Sequence, residues 1–539
     1  MSSCNTTRGG APCSDAASRT VSLFDILGPV MTGPSSSHTA GVLRIGRMGR
    51  MLLGGTPDRI DIFFYGALAR TFRGHMSDEA TVGGLMGLDP DSPDIGRAIE
   101  TARGQGIPVE FHPLSDSDRN PNTIDMAIER DGVKMRAAGI SVGGGEILID
   151  ELDGFEISLR GCEDAVLVRG GNGFSSDEAV SALEGVRSVQ SSVRDGEELV
   201  QCITSSPAPE AAVDRIRRMS GVIAVYPVTS LLPYKLEDPR PLFTSFSEVL
   251  DEARRSGKPL HELAVEYESR RSGYSRSRTL GQITTIWSVM RESLETGLRG
   301  PNKLIAGFTS GTDASSLMSA MRDGRTVGGA ILTKSVARSI AAMEVNASMG
   351  RVAAAPTAGS CGVVPATLLT VAEDRNIGEE GIVNSLLVAA MTGLIIARRA
   401  PVSGALGGCQ SEIGVASAMA AAGLVHMAGG SPAQVAEAVA MSLKNILGLI
   451  CDPVAGPVEI PCIKRNSIGV ANALASADMA LAGIASAIPV DEVIDALVGV
   501  QKLLPPELRG TMKGGLGSTP TGLRLKDVWM ERLGAGGNS

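Results

Sequence analysis

The chain has 539 residues, of which 43% are hydrophobic, 20% charged and 3% aromatic, and its formal net charge is −9. This length exceeds one ordinary hydrophobic core and predicts about two to four domains of a soluble globular protein. The negative charge and the lack of a basic run argue against a nucleic-acid partner, because phosphate binding requires Lys and Arg clustered on one face.

The first part of the chain divides into a polar tail and an α/β region. Residues 1–20 contain no apolar run, which predicts a disordered tail rather than a secretion signal, and therefore a cytoplasmic protein. Residues 21–153 mix β-type runs such as "RIDIFFYG" with glycine-rich turns, a pattern typical of an α/β domain.

The rest of the chain predicts a small α+β module followed by a long helical domain. Residues 155–231 contain segments in the order strand, helix, strand, strand, helix, strand, which predicts a ferredoxin-like unit. The Pro-rich and charged segment 232–242 predicts a linker. From 243 to 530, Ala-rich segments with helical periodicity predict an all-α domain, so the predicted fold class is multidomain.

One segment is apolar enough to raise the question of a membrane span. Residues 382–401, "IVNSLLVAAMTGLIIARRAP", approach the roughly 20 apolar residues that a transmembrane helix requires. Asn384 and Ser385 interrupt the apolar run, and Arg398 and Arg399 close it. We therefore predict a buried helix of the C-terminal domain and no membrane partner.

Cys409, Cys451 and Cys462 lie beside predicted helices of the C-terminal domain. Cys409 directly precedes one helix, whose N-terminus would stabilise a thiolate, and two basic residues closely follow Cys462. Three such thiolates suit a metal ion or an iron–sulfur cluster with one coordination position left free. Their intervals of 42 and 11 residues differ from those of ferredoxins and zinc knuckles, so spacing alone leaves the metal open. The other five are interpreted as tail or packing residues: Cys4, Cys13, Cys162, Cys202 and Cys361.

Six motifs, in order between residue 21 and about residue 524, resemble the iron–sulfur L-serine dehydratases. The resemblance implies a fused form in which an α/β domain and an all-α catalytic domain share one active site. It also implies an ACT-like module at 155–231, and we expect a homodimer. The motifs are "GPSSSHTAG" (33–41), "YGALARTFRGHMSDEA" (65–80), "ISVGGGEI" (140–147), "EVNASMGRVAAAPTAGSCG" (344–362), "GGCQSEIGVASAMAAAGL" (407–424) and "CDPVAGPVEIPCIKRN" (451–466).

The same resemblance implies the chemistry of the site. A 4Fe-4S cluster would be held by Cys409, Cys451 and Cys462, which leaves one iron free to bind the β-hydroxyl of L-serine as a Lewis acid. A positioned base would remove the Cα proton. The products would be pyruvate and ammonia, and no pyridoxal phosphate would be required.

Two of the five histidines lie in loops rich in Gly, Ser and Asp. The resemblance favours His75 as the general base, and Asp78 follows at a spacing that would orient its ring. His38 follows a row of serines, which either bind polar groups of the substrate or cap the next helix. The other three are interpreted as surface or core residues: His112, His261 and His426. The residues expected to contact the substrate are Ser35, Ser36, Ser37, His38, Asn122, Thr357 and Ser360.

Several alternatives stay open at the level of sequence. Lys334 could form the Schiff base of a pyridoxal-phosphate dehydratase, or the thiols could hold zinc or act in redox chemistry. The ferredoxin-like unit could instead belong to a non-enzymatic amino-acid sensor. In addition, Asn120 stands where many relatives have His, so proton transfer at that position and the preference for serine over threonine are open.

Overall fold

The computed structural model describes residues 21–114, 118–232 and 240–535. The predicted tail, 1–20, and most of the predicted linker, 232–242, lie outside these described residues. Within them, the chain forms an α/β part, a smaller α+β unit and a large helical part, in agreement with the predicted multidomain fold class.

The described residues contain twelve strands, which form sheets of six, four and two strands. In chain order the strands are β1 (Val30–Thr32), β2 (Arg59–Tyr65), β3 (Val109–Leu114), β4 (Thr123–Arg130), β5 (Val133–Gly143), β6 (Glu146–Leu152), β7 (Phe155–Arg160), β8 (Asp164–Gly170), β9 (Val186–Arg194), β10 (Glu197–Thr204), β11 (Val222–Val228) and β12 (Arg351–Ala353).

The described residues also contain twenty α-helices, thirteen of them after residue 240. In chain order the helices are α1 (Leu23–Ile26), α2 (Val42–Leu53), α3 (Gly66–Thr71), α4 (Ser77–Leu85), α5 (Ala98–Gly104), α6 (Ser176–Ser181), α7 (Glu210–Arg217), α8 (Phe246–Ser256), α9 (Leu260–Ser272), α10 (Arg276–Arg299), α11 (Asp313–Arg322), α12 (Gly329–Asn346), α13 (Val363–Asp374), α14 (Glu379–Arg399), α15 (Gly404–Gly407), α16 (Cys409–Met427), α17 (Pro432–Asn445), α18 (Cys462–Leu481), α19 (Val490–Leu503) and α20 (Pro520–Ala535).

The six-stranded sheet of the α/β part has the order β3-β2-β4-β5-β6-β7. Its buried face packs against α2, where Ile62 and Ile149 of the sheet and Leu43 of the helix are fully buried in one core. Strand β7 pairs with β6 in an antiparallel hairpin. The sheet therefore continues to Arg160, beyond the domain boundary that the sequence predicted at residue 153.

The smaller unit has the element order β8-α6-β9-β10-α7-β11, as predicted from the sequence. Its four strands are arranged as β11-β8-β10-β9 with antiparallel neighbours, which is the ferredoxin-like arrangement. Buried residues Val168 and Val200 of the sheet pack against Ala179 of α6 and Ile216 of α7. Its assignment as an ACT-like module stays a prediction.

Helix α14 lies in the core of the helical part and packs against α16. It is long and apolar enough to cross a membrane by length and composition alone, but 78% of its most apolar window is buried inside the protein. The segment is thus covered by other helices, as predicted. The helical part is not purely α, because it includes the short strand β12.

The first twelve described residues join the helical part rather than the α/β part. Leu23 and Phe24 of α1 are buried in the core that surrounds α14, and the Ser22 hydroxyl donates to the carboxylate of Glu268 in α9 at 3.0 Å. Strand β1 pairs antiparallel with β12, with Met31 opposite Val352. The predicted domain that begins at residue 21 therefore contributes its first segment to the other domain.

Two glycines allow α2 and α4 to pack closely in the α/β part. A Cβ atom at Gly46 of α2 would lie 2.3 Å from the Thr81 carbonyl oxygen, and a Cβ atom at Gly84 of α4 would lie 2.0 Å from the Leu43 carbonyl oxygen. Only a residue without a side chain permits this approach. The contact matters for function because the segments immediately before these two helices carry His38 and His75.

Gly84→Ala is expected to destabilise the α/β part. The added methyl group would force α2 and α4 apart, and overpacking of this kind costs about 1–3 kcal/mol in the free energy of unfolding. Thermal unfolding followed by circular dichroism measures the change. Gly104→Ala is the control, since a Cβ atom at Gly104 would meet nothing within 4 Å. Equal unfolding midpoints for the two variants would contradict the proposed close packing.

Candidate active site

A cavity of about 80 Å³ lies between the α/β part and the helical part. One water needs roughly 10–15 Å³ by the same measure, so the cavity has room for a molecule of several non-hydrogen atoms. Both parts of the chain contribute polar groups to its wall. These groups include Ser35, Ser36, Ser37, His38 and His75 from the first part and Thr357, Glu412, Cys451 and Cys462 from the helical part.

The serine row enters the cavity wall through a short π-helix, Ser36–Gly41, that runs into α2. Ser35 precedes this turn and its Oγ accepts a hydrogen bond of 3.1 Å from the backbone N–H of His38. The row therefore lines the cavity, and Ser35 also serves as an N-cap, so the two interpretations open in the sequence are compatible. Ser37 is fixed through its carbonyl oxygen, which accepts from the Ser141 hydroxyl at 2.8 Å.

His38 and His75 form a hydrogen-bonded pair in the cavity wall. Their Nδ1 atoms are 2.9 Å apart, and His38 Nε2 lies 3.2 Å from Asn122 Oδ1. With the Asn122 oxygen as acceptor, His38 carries its proton on Nε2 and accepts on Nδ1. His75 then donates from Nδ1, and its Nε2 keeps a free lone pair. The pair thus fixes His75 in the tautomer that a proton acceptor requires.

The environment keeps both rings neutral. Burial lowers the pKa of His38, although its hydrogen bond with Asn122 opposes this effect. Burial and the neighbouring His38 hold the pKa of His75 well below its usual range. At neutral pH His75 is therefore unprotonated at one ring nitrogen, as a general base must be.

The structure corrects the predicted partner of His75. Asp78 does not contact the His75 ring, because its Oδ1 accepts a hydrogen bond from the Glu79 backbone N–H at 3.0 Å. The hydrogen-bond partner of His75 Nδ1 is His38 instead. Asn122 is buried against His38 and is not among the residues that line the cavity, so its observed contact is with the histidine pair, and its contact with the substrate stays a prediction. Asn120 Oδ1 accepts from the Asn122 backbone N–H at 3.0 Å and so holds the turn that carries Asn122.

Thr357 and Ser360 differ in their access to the cavity. Thr357 lines it, and its hydroxyl donates to Glu412 Oε1 at 2.6 Å. Ser360 is fully buried, and its hydroxyl donates to the Ala355 carbonyl oxygen at 3.1 Å. The prediction that Ser360 contacts the substrate is therefore not supported, because this side chain stabilises the turn that presents Thr357.

Two of the three predicted thiols, Cys451 and Cys462, line the helical side of the cavity, and Cys409 lies beside Cys451. Cys409 begins α16 and Cys462 begins α18, whereas Cys451 lies on an extended segment bridged to Arg509. Hydrogen bonding with Cys409 and burial raise the pKa of Cys451 well above its usual range. Burial and the charges of nearby acidic groups also raise the pKa of Cys462 well above its usual range. Such thiols ionise together only if a cation joins them, because a bound metal inverts these shifts.

The surroundings of the thiols fit a bound metal group. Arg465 Nη1 lies 3.5 Å from Cys409 Sγ, so a positive side chain faces the thiol cluster. A Cβ atom at Gly404 or Gly510 would lie 3.2 or 3.6 Å from Cys451 Sγ, so both glycines leave space beside this sulfur.

The three thiols are a donor set of the kind that holds either a zinc ion or an iron–sulfur cluster.

Sequence reasoning missed Glu412, which stands three positions after Cys409 in the first turn of α16. It is the one charged residue between Cys409 and the histidine at position 426 in an otherwise Ala-rich, apolar helix. An isolated carboxylate in such a helix is a signal for function, because an unpaired charge is costly to bury.

A histidine pair and a carboxylate line one cavity beside a cluster of three thiols, an arrangement typical of an enzyme site with acid–base groups next to candidate metal ligands. A family model described as the serine dehydratase alpha chain matches residues 255–517, and the serine dehydratase beta chain model matches residues 22–106. The chain therefore belongs to the serine dehydratase family and joins the beta-type and alpha-type parts in one polypeptide.

Curated relatives cover both parts. The "Probable L-serine dehydratase, alpha chain" of Bacillus subtilis (strain 168) is 44% identical over 295 residues, which is 54% of this chain and 98% of that protein. The beta chain of the same organism is 48% identical over 147 residues, 27% of this chain and 67% of its own. "L-serine dehydratase 2" of Escherichia coli (strain K12) is 29% identical over 520 residues, 92% of this chain and 98% of that protein.

Proposed function

We propose that this chain is an L-serine dehydratase that uses a 4Fe-4S cluster to convert L-serine to pyruvate and ammonia. The observation that carries the proposal is that His75 of the beta-type part and Cys451 and Cys462 of the alpha-type part line one cavity. The names of the relatives, which are L-serine dehydratases, support the same reaction and substrate.

Cys409, Cys451 and Cys462 would hold the cluster as thiolates. When bound, the cluster would supply an iron without a thiolate ligand as a Lewis acid for the β-hydroxyl. Arg465 would offset part of the negative charge of the thiolates, since its guanidinium lies 3.5 Å from Cys409 Sγ. Its second contact, to the Ile450 carbonyl oxygen at 2.8 Å, fixes the guanidinium beside the segment that carries Cys451.

His75 would take the Cα proton of the substrate. Its Nε2 is the free nitrogen of the pair, because its Nδ1 lies 2.9 Å from His38 Nδ1. Loss of this proton and of the β-hydroxyl, which departs as water, gives 2-aminoacrylate. Its imine tautomer is then hydrolysed to pyruvate and ammonia. The Asn122–His38–His75 chain of hydrogen bonds holds the base in position throughout.

The substrate would be bound by groups of both parts. Ser36, Ser37 and Thr357 present hydroxyl groups at the cavity wall, where they can accept or donate hydrogen bonds to a small polar molecule. The size of the cavity suits serine or another small β-hydroxy amino acid. The relatives' names favour serine.

The pyridoxal-phosphate alternative has no support at Lys334. This residue lies on α12 outside the cavity wall, and its ammonium group is paired with the Glu373 carboxylate. A Schiff-base lysine must instead be a free amine that faces the substrate.

Lys334→Ala is expected to retain full pyruvate formation, because the residue has no contact with the cavity. The wild type, purified without oxygen, should contain about four iron and four sulfide per chain and should form pyruvate from L-serine. Iron, sulfide and zinc analysis, the absorbance spectrum and a pyruvate assay give the result. An imine absorbance band without iron, loss of activity in the Lys334 variant, or zinc as the bound metal would each refute the proposal.

A further inference from the structure

Glu412 is the one carboxylate in the wall of the cavity among the described residues. Its position in the first turn of α16 places it one turn beyond Cys409 and across the cavity wall from the serine row. An acid at this location has no role in the proton transfer or the cluster ligation described above. It therefore requires its own explanation.

The protein holds this carboxylate with two neutral donors. Oε1 accepts from the Thr357 hydroxyl at 2.6 Å, and Oε2 accepts from the Gly404 backbone N–H at 3.2 Å. Each carboxylate oxygen has two lone pairs, so each keeps one for a further donor. The group is thus oriented but not saturated.

Two glycines reserve the space that the carboxylate occupies. A Cβ atom at Gly359 would lie 1.9 Å from Oε1, and a Cβ atom at Gly404 would lie 2.5 Å from Oε2. Any side chain at either position would displace the carboxylate. The backbone on both sides is therefore shaped around Glu412, as expected for a built binding site rather than a chance surface acid.

The carboxylate has no cationic partner in the described part of the chain. No Lys or Arg there comes within ion-pair distance of it, and the nearby guanidinium of Arg465 is instead paired with Asp452 at 2.8 Å. The two histidines of the wall are neutral. Burial raises the pKa of the Glu412 carboxyl, and its two hydrogen bonds and the more distant charge of Arg465 oppose this effect. A cation bound in the cavity would therefore be the first direct ionic partner of this carboxylate.

We propose that the Glu412 carboxylate binds the α-ammonium group of the substrate and thereby selects amino acids over the corresponding acids without an amino group. The inference rests on the proposed function, since L-serine carries one ammonium group and the cavity wall offers one carboxylate to receive it. A charge-assisted hydrogen bond of this type is stronger than one between neutral groups. Retention of the charged ammonium also makes the adjacent Cα–H more acidic, which helps His75 to remove the proton.

The test compares two inert ligands that differ only in the ammonium group, L-alanine and propanoate, on the cluster-containing protein. In Glu412→Gln, the dissociation constant of L-alanine should rise by at least about 30-fold, because one partner of a desolvated charge pair is lost. That of propanoate should change by less than about 3-fold, since it has no group for Glu412. Calorimetric titration measures both constants independently of turnover.

Glu344→Gln is the matched control. Glu344 is a fully buried carboxylate outside the cavity wall that also accepts from a backbone N–H, that of Asp313 at 2.7 Å. This variant should keep the wild-type preference for L-alanine. Glu412→Asp keeps the carboxylate but shortens the side chain by one methylene group. It should weaken the binding of L-alanine, but not of propanoate, by less than Glu412→Gln does. This variant provides a second test if Glu412→Gln does not fold.

The inference would be overturned if Glu412→Gln weakened the binding of L-alanine and propanoate equally. It would also be overturned if either Glu412 variant kept the wild-type preference for L-alanine over propanoate. Failure of the proposed function has a different signature, because a wild-type protein that contains its cluster and forms no pyruvate from L-serine would refute that function directly. An active wild type whose Glu412 variants still prefer L-alanine would refute the role of Glu412 alone.

Discussion

Cys409→Ser, Cys451→Ser and Cys462→Ser are each expected to remove the iron–sulfur chromophore and to lower pyruvate formation by more than about 100-fold. Loss of a residue that hydrogen-bonds to a metal ligand lowers metal affinity or activity by about 10–100-fold, so loss of a ligand itself should lower activity further. The three thiols share one location beside the cavity, so each variant should show the same defect. Iron and sulfide content, visible absorbance and pyruvate formation are the measurements.

The remaining thiols of the described chain supply the controls. Burial raises the pKa of Cys202 to about 11 and of Cys162 to about 12, and Cys361 is buried with its sulfur 3.7 Å from Met343 Sδ. These thiols stay protonated and pack as small apolar groups. Serine at each of these positions should leave iron content nearly unchanged. Similar iron loss in both sets of variants would refute the assignment of the ligands.

His75→Ala is expected to lower kcat by about 10²- to 10⁴-fold, the usual effect of losing a general base. Its iron content and its affinity for L-alanine should stay close to those of the wild type, because the ring acts on the Cα proton and not on the cluster. Exchange of the substrate Cα proton with deuterated solvent is the decisive measurement. If the His75 variant still exchanges this proton at the wild-type rate, another group is the base.

The histidine pair also changes what is expected of His38. Because His38 holds Nδ1 of His75, His38→Ala should free the ring of the base to change its tautomer and orientation, and should lower kcat by up to about 100-fold, since a small misplacement of a catalytic group can cost 10²-fold. A pure substrate-binding role would instead raise KM alone. His261→Ala is the control, since His261 forms a second histidine pair, with His426 at 3.0 Å, outside the cavity wall. It should leave kcat unchanged.

Most residues of the candidate site lie in the short motifs that carry the family resemblance. Cys409, Cys462 and the serine row stand at helix starts, and helix starts are encoded by nearby residues, so the sequence could place them. Cys451 lies in a motif rich in Pro and Gly that cannot continue a helix. The meeting of these segments at one cavity was expected from the resemblance, not from the residues themselves.

The contacts within the site could not be predicted, because they depend on packing between distant segments. The contact of His38 with His75 follows from the close approach of α2 and α4, which Gly46 and Gly84 permit. Asp78 was a reasonable partner for His75 from sequence distance alone. The backbone turns at Met76, which has a positive φ of 54°, between His75 and the helix that carries Asp78.

The pairing of β1 with β12 joins residues more than 300 positions apart and places the first described segment of the chain inside the helical part. A terminal segment of one domain that completes the core of another is also found in domain-swapped oligomers, where the two domains belong to different subunits. In this chain both domains belong to one polypeptide, so the segment meets its site at an effective concentration on the order of millimolar, whatever the protein concentration. Dilution therefore does not separate the two halves of the active site, and the completeness of that site is independent of how much enzyme the cell makes.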